Sequence, residues 1–487
     1  MSRGTIDFDF GFSRSRPAKR VDDEQPFRIL VFADLGGGGR VPFDQRRPVA
    51  IDLDNFDRVF AKIAPSLAVE LEGAPVAIGF SGIDDFHPDR LFQHLQPFAA
   101  LRRLREELAD ARSFQRAAAA FGYQAPVPAE QAAAGAADDI ERLLGRKPAP
   151  PAPGGFDVQA WMRGILSPHL LPDIRMEQRQ YLAAADAALA QQMRGLLHHP
   201  AFQALEAAWR GVARLVQETE LDETLQLWVL DLSAAELAAD LDSAAADPGR
   251  SVMFHHLGGS GPESPDATPW SLAVSDFAVS AGDEDLRRLA ILGYGAARAG
   301  VPLLAGAHPS LLGCSSPGSL AEPARWSAEP PAWSALRQSE IAPWIGLALP
   351  RVLLRLPYGA ATDPIDSFTF EELPESRDHA AYLWGNPALA LALLAAQGFR
   401  QDGWSMDLDD HLDLADLPSH SYREDGETKQ QPCAELLLGE TAATVLLARG
   451  LMPLLSYRNR NAARLLRWQS VAEPAQALRG AWAVRSG

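Results

Sequence analysis

The stretch Lys147-Pro-Ala-Pro-Pro-Ala-Pro-Gly-Gly155 constrains this chain more than any other. Each proline lacks a backbone donor and fixes φ, so the run stiffens into an extended spacer, and the two glycines release it. Neither a helix nor a central strand runs through such a segment. What folds on either side must therefore start from its own elements. The chain divides into a polar tail over 1–25, expected to be disordered, a first region over 26–147, a linker over 148–160 and a second region over 161–487. At 487 residues it is too long for one ordinary core, and two or three domains are expected.

Bulk composition narrows the class of function. With 47% hydrophobic and 22% charged residues, the chain has enough apolar side chains for large cores. A formal net charge of −18 argues against a nucleic-acid binder, which needs a basic face for phosphates. An acidic surface favours solubility and basic partner patches instead. Cys314 and Cys433 are the only cysteines, so neither a disulfide framework nor a cysteine zinc site is available, which fits a reducing compartment. Met1 to Gln25 lacks the apolar core of a secretory signal. The apolar runs near Leu347–Leu356 and Ala388–Ala396 fall short of the ~20 residues that a membrane span needs. A cytoplasmic protein without membrane insertion is expected.

In the first region, Phe27–Ala33 reads as a buried strand and Val76–Phe80 as another. Gly36 to Gly39 forces a turn between regular elements. Asn55–Ala64 reads as a helix with Phe56, Val59, Phe60 and Ile63 on one face, ended by Pro65. A further helix opens at Pro88, and Pro97 breaks or kinks it before a stripe of Phe98, Leu101, Leu104 and Leu108. The Ala-rich stretch 113–147 is weakly patterned until Asp138–Leu144. In the second region, Leu182, Leu189, Met193 and Leu196 form a helical stripe that stops at Pro200, and Phe202, Leu205, Trp209, Val212 and Val216 form the next. Strands are expected over Thr224–Leu232, Ser271–Val279 and Val301–Ala305. Helices alternate with them over Ala234–Ala244, opened by a Ser233/Glu236 capping box, and over Asp283–Ala299. This alternation predicts a mixed α/β fold with a mostly parallel sheet flanked by helices. Beyond Pro309 the chain reads as irregular until Trp344, and Leu436–Val471 as apolar but fragmentary.

Each candidate for chemistry lacks an essential part. Gly36–Gly39 follows a strand, but Arg40-Val-Pro-Phe43 supplies neither the lysine and hydroxyl of a phosphate loop nor a helix start. Asp84-Asp85-Phe86-His87-Pro88-Asp89 mixes carboxylates with an imidazole, yet acids there serve better as caps on the first helical turn. His198-His199 has no Glu or His at helical spacing beside it and reads as a pair of turn histidines. The junction Leu230-Asp-Leu-Ser-Ala-Ala-Glu236 has no glycine for close phosphate approach. Asp407, Asp409, Asp410, Asp413 and Asp416 lack the glycine and final glutamate of a calcium loop and read as a solvated acidic loop. No nucleophile elbow or His-Glu-x-x-His is present. The sequence assigns no catalytic, cofactor-binding or metal residue, and no cofactor.

Two sets of strings carry a resemblance. Phe27-Arg-Ile-Leu-Val-Phe-Ala-Asp-Leu35, Pro48–Asp57 and Asp84–Asp89 stand in the first region. His198-His-Pro-Ala-Phe-Gln-Ala-Leu-Glu-Ala-Ala-Trp-Arg-Gly211, Leu349-Pro-Arg-Val-Leu-Leu-Arg-Leu-Pro-Tyr-Gly359 and Tyr382-Leu-Trp-Gly-Asn386 stand in the second. The first set, over about 27–147, resembles the small subunit of the bacterial type VI secretion contractile sheath. The second, over about 161–471, resembles the large subunit of the same sheath. In that family the two are separate chains that pair and polymerise.

The resemblance implies a structural component rather than an enzyme. It implies a sheath of sheath subunits or further copies around an inner tube, contraction that drives the tube outward, baseplate contacts, and an unfoldase of the AAA+ class that recycles the sheath. The second region is expected to be a shortened large subunit, since the family continues past Ala481–Gly487 and carries a longer segment before Leu182, where Ala160–Leu166 is the helical candidate left. A non-polymerising, or a capping or baseplate-proximal, adaptor that binds standard sheath subunits is the alternative. A hydrolase-like enzyme on the α/β portion is the reading from another class. The two regions are expected to fold against each other. Trp209 falls on an apolar helical stripe and is expected to be buried, with a contact surface as the other reading of Trp209-Arg210-Gly211.

Overall fold

The computed structural model describes residues 25–36, 38, 41–71, 73–110, 112–121, 178–258, 269–314, 316–374, 378–424 and 426–482. The linker over 148–160, nearly all of the 1–25 tail, Asp138–Leu144 and the helical candidate Ala160–Leu166 lie outside the described residues.

The first region supplies β1 (Phe27–Ala33), β2 (Val49–Ile51), α1 (Phe56–Ile63), β3 (Ser66–Leu71), β4 (Ala74–Gly79), α2 (Pro88–His94), α3 (Gln96–Ala109) and α4 (Phe114–Ala119). The second opens with α5 (Gln178–Leu197) and α6 (Pro200–Glu218), then β5 (Leu225–Asp231), α7 (Ala234–Ser243), α8 (Val252–His256), β6 (Leu272–Val279), α9 (Asp283–Ala299) and β7 (Leu303–Ala307). There follow α10 (Pro331–Arg337), β8 (Ile345–Leu349), β9 (Val352–Leu353), β10 (Trp384–Gly385), α11 (Pro387–Asp402) and β11 (Asp413–Leu414). A hairpin of β12 (Ser421–Glu424) and β13 (Glu427–Gln430), then α12 (Glu440–Ala448), β14 (Leu451–Ser456) and β15 (Ala463–Leu465), complete the described chain.

Local chemistry sets most of these ends. Ser233 and Glu236 form the capping box that starts α7. Asp283, Glu284 and Asp285 meet the positive end of α9, and Gly300 at φ 73° closes it. The N–H of Val301 is spent on the carbonyl of Ala296 (2.9 Å) and Pro302 has none, so the strand expected from Val301 starts at Leu303 instead. Leu95 is extended between α2 and α3, and Pro97 sits in the first turn of α3, so the expected break falls there.

Nine strands form one sheet in the order β11-β15-β14-β8-β7-β6-β1-β5-β2. From β5 to β14 the neighbours run parallel, and the antiparallel strands β2, β15 and β11 close the two edges. This is an α/β fold with a mostly parallel sheet between helical layers. β1 of the first region lies at its interior, paired with β5 on one side and β6 on the other. Its side chains alternate between layers: Phe27, Ile29 and Val31 join one core, with α6 and α11, while Leu30 and Phe32 join the other, with α7 to α10. Because β5 lies on one side of the first strand and β6 on the other, chain order reverses beside β1, the place where open α/β sheets hold ligands.

Candidate functional site

The signature strings of the second region meet around α6. His199 accepts a bond from the N–H of Ala201 and Pro200 takes the first turn, so His199 serves as the helix cap, and the expectation of turn histidines matches its place between two helices. Phe202, Leu205, Trp209, Val212 and Val216 are all buried. Trp209 is fully buried. Its ring lies 4.3 Å from that of Phe60 and 5.9 Å from that of Phe56, and its indole N–H donates to the carbonyl of Leu35 at 3.0 Å. Core burial and contact surface are thus one role: Trp209 is the core contact between the two regions. Phe202 adds ring contacts to Phe80 and Phe86. The turn at Gly36 runs directly under this helix. At φ +79° it suits glycine, and a Cβ there would come within 2.8 Å of Leu205 Cδ1.

Beside this apolar stripe, α6 carries an ionic cluster. Glu206 is completely buried, and its Oε1 accepts from Arg355 Nε at 2.8 Å and from Arg210 Nε at 2.7 Å. Arg355 turns its Nη1 to Glu372 Oε2 at 2.7 Å, an oxygen that also accepts from the N–H of Tyr358 at 2.8 Å. The guanidinium lies 4.2 Å over the ring of Tyr358, and Arg210 Nη2 donates to that phenol at 3.1 Å. His198 Nε2 stands 3.6 Å from Glu372 Oε1. Burial alone would raise the Glu372 carboxyl, but Arg355, with His198 and the Tyr358 amide, holds it at about 2. Burial, partly offset by Arg355, pushes the Tyr358 phenol up to about 12. A smaller pair repeats the pattern: Arg351 bonds Glu435 at 2.6 Å, and His379 Nε2 lies 3.0 Å from the same oxygen.

Glycines let these strings close on each other. A Cβ on Gly211 would stand 2.4 Å from Leu389 Cδ1 of α11, and one on Gly385 would stand 2.7 Å from Leu354. Asn386 caps α11 through the N–H of Ala388 at 2.9 Å and abuts Gly306 of β7. The cavity left between α6 and α11 measures about 10 Å³, room for a single water.

The other sequence candidates take structural roles. Asp85 accepts from the N–H groups of Ser81 and Gly82, and His87 caps α2. Asp89 does not cap its own helix: it accepts from the N–H groups of Asp366 and Ser367, tying the first region to the segment before Glu372. In the acidic loop, Asp407 caps a short turn, Asp409 accepts from the N–H of Trp468, and Asp413 binds Tyr457 and Arg464. Cys314 and Cys433 are buried free thiols. At the reversal point, burial pushes Asp231 up to about 6 and Asp276 up to about 7, and raises Asp34. Part of Asp276 reaches solvent, although its carboxyl is enclosed. Among the described residues, no three His, Cys, Asp or Glu side chains are grouped to hold a metal, and no helix is long and apolar enough to cross a membrane.

Sequence reading missed the ionic role of Glu206. A carboxylate between Leu205 and Trp209 on a helix face that includes Phe202 was the available signal. Glu372 had none, since Arg355 and Tyr358 reach it across a non-helical segment of 14 to 17 residues and His198 from much further along the chain.

The arrangement thus fastens segments of two regions and offers no nucleophile or cofactor cradle built from these strings. Family models agree with that division. Residues 179–472 match the tail sheath N-terminal domain of the VipB (EvpB) family, and residues 12–121 match VipA of the type VI secretion system. The chain is also similar to the type VI secretion system sheath protein TssC1 of Pseudomonas aeruginosa, 33% identical over 310 residues that span 61% of this chain and 61% of that protein. The chain therefore belongs to the type VI secretion sheath family and joins regions of both of its sheath subunits in one polypeptide.

Proposed function

We propose that this chain is a structural component of a contractile sheath, acts in the cytoplasm and catalyses no reaction. Further copies or standard sheath subunits are its assembly partners. An inner-tube protein, baseplate proteins and a AAA+ unfoldase are the partners expected beyond them. The regions 26–147 and 161–487, joined through 148–160, stand in for the small and large subunits. One observation carries this reading: two sheath-subunit families match one chain, and their regions share a single sheet through β1. Such a unit has its subunit pairing built in, and assembly then needs only contacts between units.

Negative-stain microscopy of the purified protein, alone and mixed with standard subunits, tests it. Filaments or rings are expected. Particles that stay monomeric at every concentration, yet bind one standard subunit, would replace the sheath reading with the adaptor.

A further inference from the structure

We infer that this chain takes up no separate small sheath subunit, because the strand position such a subunit would fill is already occupied by β1 of the same polypeptide. The inference rests on the sheath reading above and names which partner that reading excludes.

Both edges of β1 are used. Phe27–Ala33 pairs residue for residue with Leu225–Asp231, and Ile29–Phe32 pairs with Leu272–Ser275 on the other side. The ladder is extended by the bonds Phe27 N–H to Thr224 (2.7 Å), Ser271 N–H to Arg28 (2.8 Å) and Leu232 N–H to Ala33 (3.0 Å). Two indoles fix its ends: Trp404 donates to the carbonyl of Gln25 at 2.8 Å, and Trp209 to that of Leu35 at 3.0 Å. Phe27, Leu30, Val31 and Phe32 are fully buried, in two different layers. An incoming strand finds no free edge here, and displacing β1 means opening the interior of the sheet and both of its cores, an event on the scale of global unfolding.

The connection also favours the chain's own strand. The described chain stops at Phe121 and resumes at Gln178, and both ends meet in one place. Phe121 packs on the small cluster that contains Tyr181, and Gln178 donates to the carbonyls of Leu108 (2.7 Å) and Ala109 (2.8 Å). Because the two regions belong to one polypeptide and already meet here, the chain's own first region competes intramolecularly with any free copy.

The experiment uses the full chain with a protease site placed in Lys147–Gly155, prepared in normal and heavy-isotope forms. Both forms are cut, mixed for a day and read by native mass spectrometry. The expected result is a single cut particle with its N-terminal fragment retained and no mixed-isotope species. Mixed species, or loss of the N-terminal fragment, overturns the inference. In the uncut chain, the amides of β1 should exchange with solvent as slowly as those of β7 and β8, and rapid exchange in β1 would overturn it too. Co-purification of a separately made VipA-family subunit in equal amount with the intact chain would have the same force. Filament formation is scored independently: non-exchanging monomers defeat the sheath reading alone, and exchanging filaments defeat this inference alone.

Discussion

Residues 27–86 and residues 351–372 both pack on α6, but by different means. The first joint is apolar: Trp209 and Phe202 lie among Phe56, Phe60, Phe80 and Phe86. The second is ionic: Glu206 meets Arg355, which meets Glu372. Apolar burial is non-directional and graded with area, so that joint sets how strongly the regions adhere. A buried ion network contributes little net stability, because desolvation offsets attraction, but it is intolerant of a missing member. It therefore selects one register of the second signature string against the helix. Adhesion and register are carried by different neighbouring side chains of one helix.

Breaking the apolar joint should have the largest effect. Trp209→Ala removes a fully buried indole and leaves the Leu35 carbonyl without its donor. Large-to-small changes of this kind cost about 3–5 kcal/mol, and an orphaned buried acceptor adds about 1–3 kcal/mol. Circular dichroism melting should show a large drop in Tm. An unchanged Tm would refute the core role.

Next comes the ionic joint. Arg355→Met leaves Glu206 and Glu372 buried without their shared cation, and about 3–5 kcal/mol should be lost. Adding Glu206→Gln and Glu372→Gln removes the stranded charges while keeping acceptors for Tyr358 and Arg210. Denaturant titration of the triple variant should recover much of the loss. If the triple variant is no better than the single one, packing rather than charge holds this joint.

The two joints were not equally legible in the sequence. The apolar one could be read because Phe202, Leu205, Trp209, Val212 and Val216 repeat at helical spacing; the same logic gave α1, and a short dense apolar run gave β1. α11 escaped because Ala388–Ala396 is buried on all sides and so carries no periodic polar face, and β8 is hidden for the same reason. β2 and β11 are too short to show a pattern, and they gain their place only by pairing with β5 and β15. The ionic joint joins residues far apart along the chain, and local periodicity is silent about such pairs. Asp89, read as a cap, was claimed by a loop more than half the chain away, a tertiary override of a sound local preference.

A smaller loss is expected where α6 meets α11. Gly211→Ala forces a methyl toward Leu389 Cδ1, 2.4 Å from the ideal Cβ position. The leucine end can shift, so overpacking should cost about 1–3 kcal/mol. Pairing it with Leu389→Ala should return part of that loss in the same melting assay. A Gly211→Ala protein as stable as the wild type would mean that α6 and α11 are not in close approach.

The smallest effect concerns a carboxylate beside the apolar joint, Asp231. Leu35 gives its carbonyl to Trp209 and its N–H to Asp231 Oδ1 at 2.9 Å. Burial pushes Asp231 up to about 6, and the nearby Arg46 spends its charge mainly on Glu236. An unfolded aspartate titrates near 3.9, so at about pH 3 and below both states are protonated and the group contributes no difference. As pH rises from 4 toward 6, the unfolded chain gives up this proton before the folded one does, and stability falls; above about 6 the cost is constant. Glu372, held at about 2, behaves oppositely: its contribution is present above the unfolded value near 4.3 and is lost as pH falls toward 2. Asp231→Asn keeps an acceptor for Leu35 without the charge. The variant should therefore melt higher than the wild type at pH 8, with the gain shrinking at pH 5 and gone at about pH 3. A gain that does not change with pH would show that the Asp231 charge is already compensated, and the apolar joint would then be no different in kind from the ionic one.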